Sequence, residues 1–113
     1  MQAPGTAVLL RIYTEEGKTS GHRPLYEDIV MKARDAGLAG ATVLRGPVGF
    51  GTDARLHTAK ILDLSASLPL VIEIVDEEAK IRRFLAGLEG VRDLGLVTLE
   101  KVEVAHYKAR PQP

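Results

Sequence analysis

The chain has 113 residues, with 15 basic and 15 acidic side chains and no cysteine or tryptophan. This length predicts one domain spanning residues 1–113, and a content of 45% hydrophobic and 27% charged residues is typical of a soluble globular protein. The balanced charge argues against generic binding to nucleic acids or membrane surfaces, because both need a basic excess. The absence of cysteine excludes disulfides, thiolate metal sites and thiol catalysis.

The N-terminal residues have none of the features of a targeting segment. No apolar run in the chain reaches the roughly 18 residues that a membrane-spanning helix needs. The first apolar run has no basic residues before it and is interrupted by Arg11, which is not the pattern of a secretory signal peptide. We therefore expect a cytoplasmic protein.

The first half of the chain predicts a strand, a helix and a second strand. Residues 7–13 (AVLLRIY) form a short apolar run rich in β-branched and aromatic side chains, which is typical of a strand. Pro24 suits the first position of a helix, and apolar residues then recur every three or four positions as far as Ala36. Gly37 follows as the expected left-handed end of that helix, and residues 41–45 (ATVLR) return to the strand pattern.

The second half repeats this order after a long connection. Residues 47–68 show no sustained apolar period, which predicts a loop with at most a short helical turn or hairpin arms. The run LVIEIV at 70–75 is the most strand-like of the chain. Asp76 is expected to cap a second helix, which ends at Gly87 and Gly90.

The last element is a strand over residues 96–107 (LVTLEKVEVAHY). Its apolar positions change parity between Leu99 and Val102, so we expect a β-bulge or a bend there. Residues 108–113 are polar and proline-rich and predict a flexible tail.

The order of elements, β-α-β-β-α-β, predicts an α+β fold of the ferredoxin-like type. Two right-handed βαβ halves form a four-stranded antiparallel sheet with both helices on one face. The connection over residues 47–68 is much longer than a hairpin between the second and third strands requires, and long loops in compact domains are usually functional or disordered. This loop is therefore the first place to look for a site.

The second face of the sheet predicts association between copies of the chain. The strand LVIEIV is apolar on both sides, which is typical of a sheet that is covered on both faces. Two helices cover one face, so a second copy is the simplest cover for the other, and we expect a homo-oligomer. The alternative is a face that is simply half exposed.

A glycine-spaced basic segment is the candidate anion site. Glycines let backbone N–H groups approach an anion closely, and guanidinium groups bind phosphate in a bidentate manner. The segment consists of three glycines preceded by an arginine and followed by three further basic or imidazole side chains: Arg45, Gly46, Gly49, Gly51, Arg55, His57 and Lys60. Lys18, His22 and Arg23 form a second small cluster before the first helix. The alternatives are a loop that merely turns the chain and ordinary solvated charges.

The remaining polar residues predict neither a metal site nor a catalytic residue. The three histidines have no metal-ligand spacing, so only the fold could bring them to other ligands. Glu77 and Glu78 suit the positive end of the second helix better than acid–base chemistry.

Three segments of the sequence resemble a known family. The segments PLYEDIVMKARDAGLAGATVLRGPVGFG, LHTAKILDLSASLPLVIEIVD and GLVTLEKVEV are similar to the PII-like family known as domain of unknown function 190, and the resemblance runs from about Ala7 to Tyr107. It implies a ferredoxin-like subunit in a homotrimer whose sheets face inward. It also implies that residues 47–68 correspond to the T-loop, with which PII proteins contact their partners and respond to adenine nucleotides.

The resemblance also implies the position and the class of the ligand. The ligand would be AMP, ADP, ATP or a similar anionic metabolite in a cleft between subunits, with no required cofactor. The expected cleft residues are Arg45, Gly46, Gly49, Phe50 and Gly51, joined by Thr42 or Arg23, while Arg55, His57 and Lys60 lie on the loop that orders on binding or contacts a partner. A membrane transporter or channel is the partner class implied, because related genes often lie beside fluoride-channel genes.

Two features depart from the PII signalling proteins. The connection over residues 88–95 has one arginine and two acids instead of a glycine- and lysine-rich loop, so ATP sensing of the PII type is not implied. The loop over 47–68 has no tyrosine, so uridylylation is not expected.

Other functions remain open on the same fold. A small oligomeric isomerase or monooxygenase would need a buried acid or histidine, for which Glu73 and His57 are the candidates. A protein-interaction module without a ligand is a further alternative. An RNA-binding domain with the same element order would stack bases on aromatic side chains of the sheet. The third strand has none and the first has only Tyr13, so no nucleic-acid partner is expected.

Overall fold

The computed structural model describes residues 1–59, 67–91 and 94–109. In chain order the elements are β1 (Gly5–Glu15), β2 (Thr19–Ser20), β3 (Arg23–Pro24), α1 (Leu25–Asp35), β4 (Thr42–Arg45), β5 (Val48–Gly49), β6 (His57–Thr58), β7 (Pro69–Asp76), α2 (Glu78–Ala86) and β8 (Val97–Val104).

Four of the strands form an antiparallel sheet in the order β4–β7–β1–β8. β1 lies in the centre, paired with β7 on one side and with β8 on the other. Alternate side chains of β1 and β7 point to the same face and are almost fully buried there, with Leu10, Ile12, Ile72 and Ile74 at 1% exposure or less. Both helices contribute to this core, so the predicted α+β ferredoxin-like fold is confirmed.

The first helix, α1, has the predicted apolar face and the predicted end. Leu25, Ile29 and Ala33 are buried at spacings of four residues, and Gly37 adopts a φ of +76° directly after the helix. The start differs by one residue from the prediction. Pro24 has an extended ψ of 135° and pairs with Thr19 in the short β2–β3 ladder, so the helix begins after it.

The second helix, α2, begins differently from the prediction. Asp76 does not cap it, because the cap position is Glu77, whose side chain makes no capping hydrogen bond. The Asp76 side chain is instead buried at the end of β7. Its carboxylate accepts hydrogen bonds from the backbone N–H of Glu77 at 2.7 Å and of Ala39 at 2.9 Å. One side chain therefore joins the end of a strand, the start of α2 and the turn after α1.

The bulge expected in the last strand is wrong. β8 pairs with β1 in one continuous register from Gly5–Val104 to Ile12–Val97, with one residue opposite one residue throughout. The apolar positions change parity because they change face. Leu99 lies opposite the buried Leu10 on the helix side, and Val102 lies on the other side of the sheet.

This second face of the sheet, which we call the open face, is not covered by either helix. Apolar side chains of four strands lie on it, half-buried or exposed: Leu9, Leu44, Val71, Val75 and Val102. Arg11 lies between them and pairs with Glu73 at 2.9 Å and with Glu100 at 3.1 Å. The hydrogen bond to Glu73 raises the pKa of Arg11, so this guanidinium stays charged.

The long loop contains a small hairpin, one of the two structures that the sequence allowed. Val48 pairs with Thr58 and Gly49 pairs with His57, forming β5 and β6. Residues 60–66 and 110–113, in the loop and the predicted tail, lie outside the described residues. Neither described helix is long and apolar enough to cross a membrane.

Candidate ligand-binding cleft

A cleft of about 450 Å³ lies at one end of the sheet, where β1 and β4 finish and β7 and β8 begin. We call it the sheet-end cleft. This volume lies within the range of small-molecule sites. Its walls come from the end of β1, the start of β7, the β5–β6 loop and the segment before β8: Tyr13, Thr14, Glu15, Lys18, Phe50, Gly51, Thr52, Asp53, His57, Pro69, Leu70, Val71, Leu94, Gly95 and Leu96.

A close approach of two backbone segments forms the β8 side of the cleft. A Cβ atom at Gly95 would overlap the carbonyl oxygen of Tyr13, so only glycine fits there. The backbone N–H of Tyr13 donates to Leu96 O at 2.9 Å and fixes the same two segments. The sequence analysis did not identify Gly95, because glycine is required there only by the contact with Tyr13 in β1, which is distant in the chain.

Two of the predicted glycines hold the hairpin against the start of β7. A Cβ at Gly46 or Gly49 would lie 3.2 or 3.1 Å from Cγ of Pro69, which is tighter than an ordinary contact. The backbone N–H of Gly46 also donates to Pro69 O at 2.8 Å. The structure therefore gives these glycines a packing role, and neither lines the cleft.

The next two predicted residues, Phe50 and Gly51, do line the cleft. The Phe50 side chain is 71% exposed, so one ring face is free to stack on a planar ligand. The N–H of Ala54 donates to Gly51 O at 2.9 Å and closes a turn, with Ala54 at a φ of +58°. This turn places Asp53 at the edge of the cleft.

An acidic wall with an imidazole faces the cleft. His57 Nε2 lies 2.7 Å from Glu15 Oε2, and Lys18 Nζ lies 3.6 Å from Glu15 Oε1. Asp53 accepts a hydrogen bond from the backbone N–H of Arg55 at 3.0 Å. That hydrogen bond lowers the pKa of Asp53, and the nearby His57 and Lys18 lower it further, so the carboxylate is ionised at neutral pH. The wall thus has two carboxylates that the sequence analysis did not select.

Arg45, the predicted phosphate ligand, lies beside the cleft and not in its wall. It is the last residue of β4, and its guanidinium forms an ion pair with Glu16 at 2.7 Å. The other Glu16 oxygen accepts a hydrogen bond from the backbone N–H of Leu68 at 3.1 Å. Because the Arg45 side chain is 61% exposed, it is accessible to a ligand that displaces Glu16.

The other predicted residues lie apart from this group. Thr42 is on the open face, opposite Glu73 in the pairing of β4 with β7. Arg23 lies before α1, with its guanidinium 3.9 Å from Asp28 and 3.1 Å from the sulfur of Met31. Arg55 is exposed in the β5–β6 loop, and Lys60 lies outside the described residues. Of the two loop residues that the structure describes, His57 lines the cleft and Arg55 does not.

The fold is that of PII-like proteins. The structure of CPII, a nitrogen regulatory PII-like protein from Thiomonas intermedia K12 bound to ADP, AMP and bicarbonate, aligns with a TM-score of 0.65 at 18% identity, over 90% of this chain and 91% of that one. A putative PII-like signaling protein from Thermus thermophilus aligns with a TM-score of 0.64 at 19% identity, over 88% and 89% of the two chains.

The sequence relatives give the family. The DUF190 family, described as "Uncharacterized ACR, COG1993", matches residues 7–104. A UPF0166 protein from Aquifex aeolicus is 44% identical over 98 residues, covering 87% of this chain and 92% of the relative. A UPF0166 protein from Methanocaldococcus jannaschii is 34% identical over 99 residues, covering 87% and 91%. The chain belongs to the DUF190 family and has the PII-like fold that the resemblance implied.

Proposed function

We propose that this protein is a non-enzymatic PII-like regulator that forms a homotrimer and binds an adenine nucleotide next to the sheet-end cleft. The observation that carries the proposal is the position of the exposed Phe50 ring on a cleft of nucleotide size, with Arg45 nearby at the end of an edge strand. A structural neighbour with the same fold binds ADP and AMP.

The open face supports the trimer. Half-buried and exposed apolar side chains surround the Arg11 ion pairs there, and neither helix covers them. A face of this kind is stabilised by burial against another copy. β4 is an edge strand, so the association would place Arg45 close to a neighbouring subunit.

The cleft and the adjacent Arg45 together offer the two kinds of contact that a nucleotide needs. An aromatic ring stacks on the base, and a guanidinium binds the phosphate in a bidentate manner. Lys18, whose Nζ lies 3.6 Å from Glu15 Oε1, is a further cation in the cleft wall. To bind a phosphate, Arg45 must first release the Glu16 carboxylate. A dianionic phosphate competes with that single negative charge better than another carboxylate would.

The exposed apolar side chains of the hairpin loop suit a regulated partner. Val48, Phe50 and Leu56 are 56%, 71% and 64% exposed. Within the proposal, this loop contacts the partner, and nucleotide binding at its base changes its conformation. A membrane transporter or channel is the partner class that the resemblance implies.

Calorimetry with AMP, ADP, ATP and cyclic nucleotides tests the ligand. We expect saturable binding of at least one of them by the wild-type chain, and a loss of at least tenfold in affinity for Arg45→Ala and for Phe50→Ala. The matched controls are Arg34→Ala, which removes an exposed arginine from α1, and Leu56→Ala, which removes an exposed apolar side chain from the same loop. Both controls should bind like the wild type.

No binding of any of these nucleotides would overturn the proposed ligand class. Equal affinity of the wild type and Arg45→Ala would overturn the phosphate role of Arg45. An equal loss in Phe50→Ala and Leu56→Ala would mean that the loop acts through general apolar contact and not through base stacking.

A further inference from the structure

The geometry points to a divalent metal site in the sheet-end cleft, formed by Glu15, Asp53 and His57. We infer that it binds a zinc-like cation that prefers mixed imidazole and carboxylate ligands. The three residues come from the end of β1, the β5–β6 loop and β6, and the sequence shows no metal-ligand spacing among them. The inference does not depend on nucleotide binding.

The donor atoms are close enough for one cation. One nitrogen of His57 and one oxygen from each carboxylate all lie within 4.8 Å of one another. Ligand atoms about 2.1 Å from a zinc ion are about 3.4 Å apart in tetrahedral coordination. Small side-chain rotations would therefore bring all three donors to one ion.

Two of the donor atoms are buried without a hydrogen bond. Glu15 Oε2 and His57 Nε2 are shielded from solvent, and among the described residues neither has a hydrogen-bond partner, although they lie 2.7 Å apart. The two atoms thus face each other without hydrogen-bond geometry, and a cation bound by both would replace this contact.

The surrounding charges also favour a cation. Glu15 and Asp53 bring two negative charges into a cleft wall where Lys18 supplies one positive charge, at 3.6 Å from Glu15 Oε1. Lys18 lies near Glu15 Oε1, and the backbone N–H of Arg55 donates to Asp53 Oδ1. These contacts orient the two carboxylates from outside the site and leave Glu15 Oε2 directed at the imidazole.

The ligand types select the class of metal. An imidazole with two carboxylates suits zinc and neighbouring transition ions, whereas Mg²⁺ prefers oxygen ligands only. Three protein ligands leave at least one coordination position, and this position would face the cleft.

Calorimetric titration of the full chain with Zn²⁺ alone, in a buffer free of phosphate and nucleotide, tests the inference. We expect one Zn²⁺ per chain and a rise in Tm on binding, with much weaker binding of Mg²⁺. His57→Ala should weaken Zn²⁺ binding at least tenfold. Asp53→Asn is the variant least able to disturb folding, because Asp53 is exposed, and it should also weaken binding at least tenfold.

His106→Ala is the control for general zinc binding by surface histidines, since His106 is exposed and far from the cleft residues in the chain. It should bind Zn²⁺ like the wild type. Absence of saturable Zn²⁺ binding, an unchanged affinity in Asp53→Asn, or an equal loss in His106→Ala would overturn the site. Equal binding of Mg²⁺ and Zn²⁺ would overturn the assigned class of metal. The titration contains no nucleotide, so its result does not depend on whether the protein binds nucleotides.

Discussion

Asp76 connects three segments of the chain through a single buried carboxylate. Its two oxygens accept hydrogen bonds from backbone N–H groups of Ala39 and Glu77, and its side chain is almost fully buried at the end of β7. Hydrogen bonds to an ionised acceptor are stronger than those between neutral groups. Without this acceptor, two partly buried backbone N–H groups would lose their partner.

Removal of this carboxylate should therefore destabilise the fold more than removal of a surface acid. We expect Asp76→Ala to lower the free energy of unfolding by about 1–3 kcal/mol, since it removes two hydrogen bonds that contribute about 0.5–1.5 kcal/mol each. Asp76→Asn keeps one acceptor oxygen and should cost less. Urea unfolding followed by circular dichroism measures both.

Asp35→Ala is the matched control, because the Asp35 side chain is exposed near the end of α1. It should change the free energy of unfolding by no more than about 0.5 kcal/mol. A loss in Asp76→Ala as small as that in the control would contradict the role assigned to Asp76.

At the scale of elements, α1 illustrates how a helix end is encoded. The backbone N–H of Gly37 donates to Arg34 O at 3.0 Å, and that of Leu38 donates to Ala33 O at 3.1 Å. This arrangement needs the left-handed conformation at Gly37, whose φ is +76°. The turn then directs Leu38 back into the core, where it is 3% exposed.

Gly37→Ala isolates this backbone requirement. A Cβ at Gly37 would meet no atom within 4 Å, so the expected loss of about 1 kcal/mol in unfolding free energy comes from the left-handed conformation alone. The control is Gly40→Ala, since Gly40 is equally open but has no positive φ. Thermal unfolding should show a lower Tm for Gly37→Ala and an unchanged or higher Tm for Gly40→Ala. The same Tm for both variants would argue against the backbone explanation.

Local pattern predicts the main elements of this fold well. The apolar spacing of α1 and the glycine after it depend on neighbours within a few residues, and the same is true of the apolar run in β7. The parity change between Leu99 and Val102 imitates a bulge, because the sequence shows which positions are apolar but not which face of the sheet each of them occupies.

The site was less predictable for a related physical reason. Phe50 and Gly51 lie in the glycine-spaced segment that the sequence indicates, and they do line the cleft. Glu15 and Gly95 meet that segment only through strand pairing between distant parts of the chain, so their own neighbours in sequence carry no signal of the cleft. The ion pair that occupies Arg45 likewise depends on Glu16, which directly follows β1.

At the scale of the whole molecule, the proposed trimer places the open face between copies of the chain. Leu44 is 50% exposed on the edge strand β4 and lies beside Val71 on this face. In a single chain, a charge at Leu44 remains in contact with water and leaves the core of the fold unchanged. In the proposed trimer, the same charge would be buried without a partner, which is costly.

Leu44→Glu should therefore convert the proposed trimer to monomers without loss of secondary structure. Light scattering coupled to size-exclusion chromatography measures the mass, and circular dichroism measures the folding. Met31→Gln is the control, because it changes an exposed apolar side chain on α1, away from the open face. A monomeric wild type, or a trimeric Leu44→Glu variant, would show that this face is not the interface.

The central position of β1 also affects how the chain is made. β1 is synthesised first, yet both of its pairing partners come later, with β7 beginning about 50 residues downstream. At a translation rate of about 5–20 residues per second, the nascent strand waits roughly 3–10 s for its first neighbour. During that interval Val8, Leu10 and Ile12 have no paired strand, and of the two helices in the described residues only α1 has been made. The apolar face of β1 is thus completed only after the second half of the fold has been synthesised.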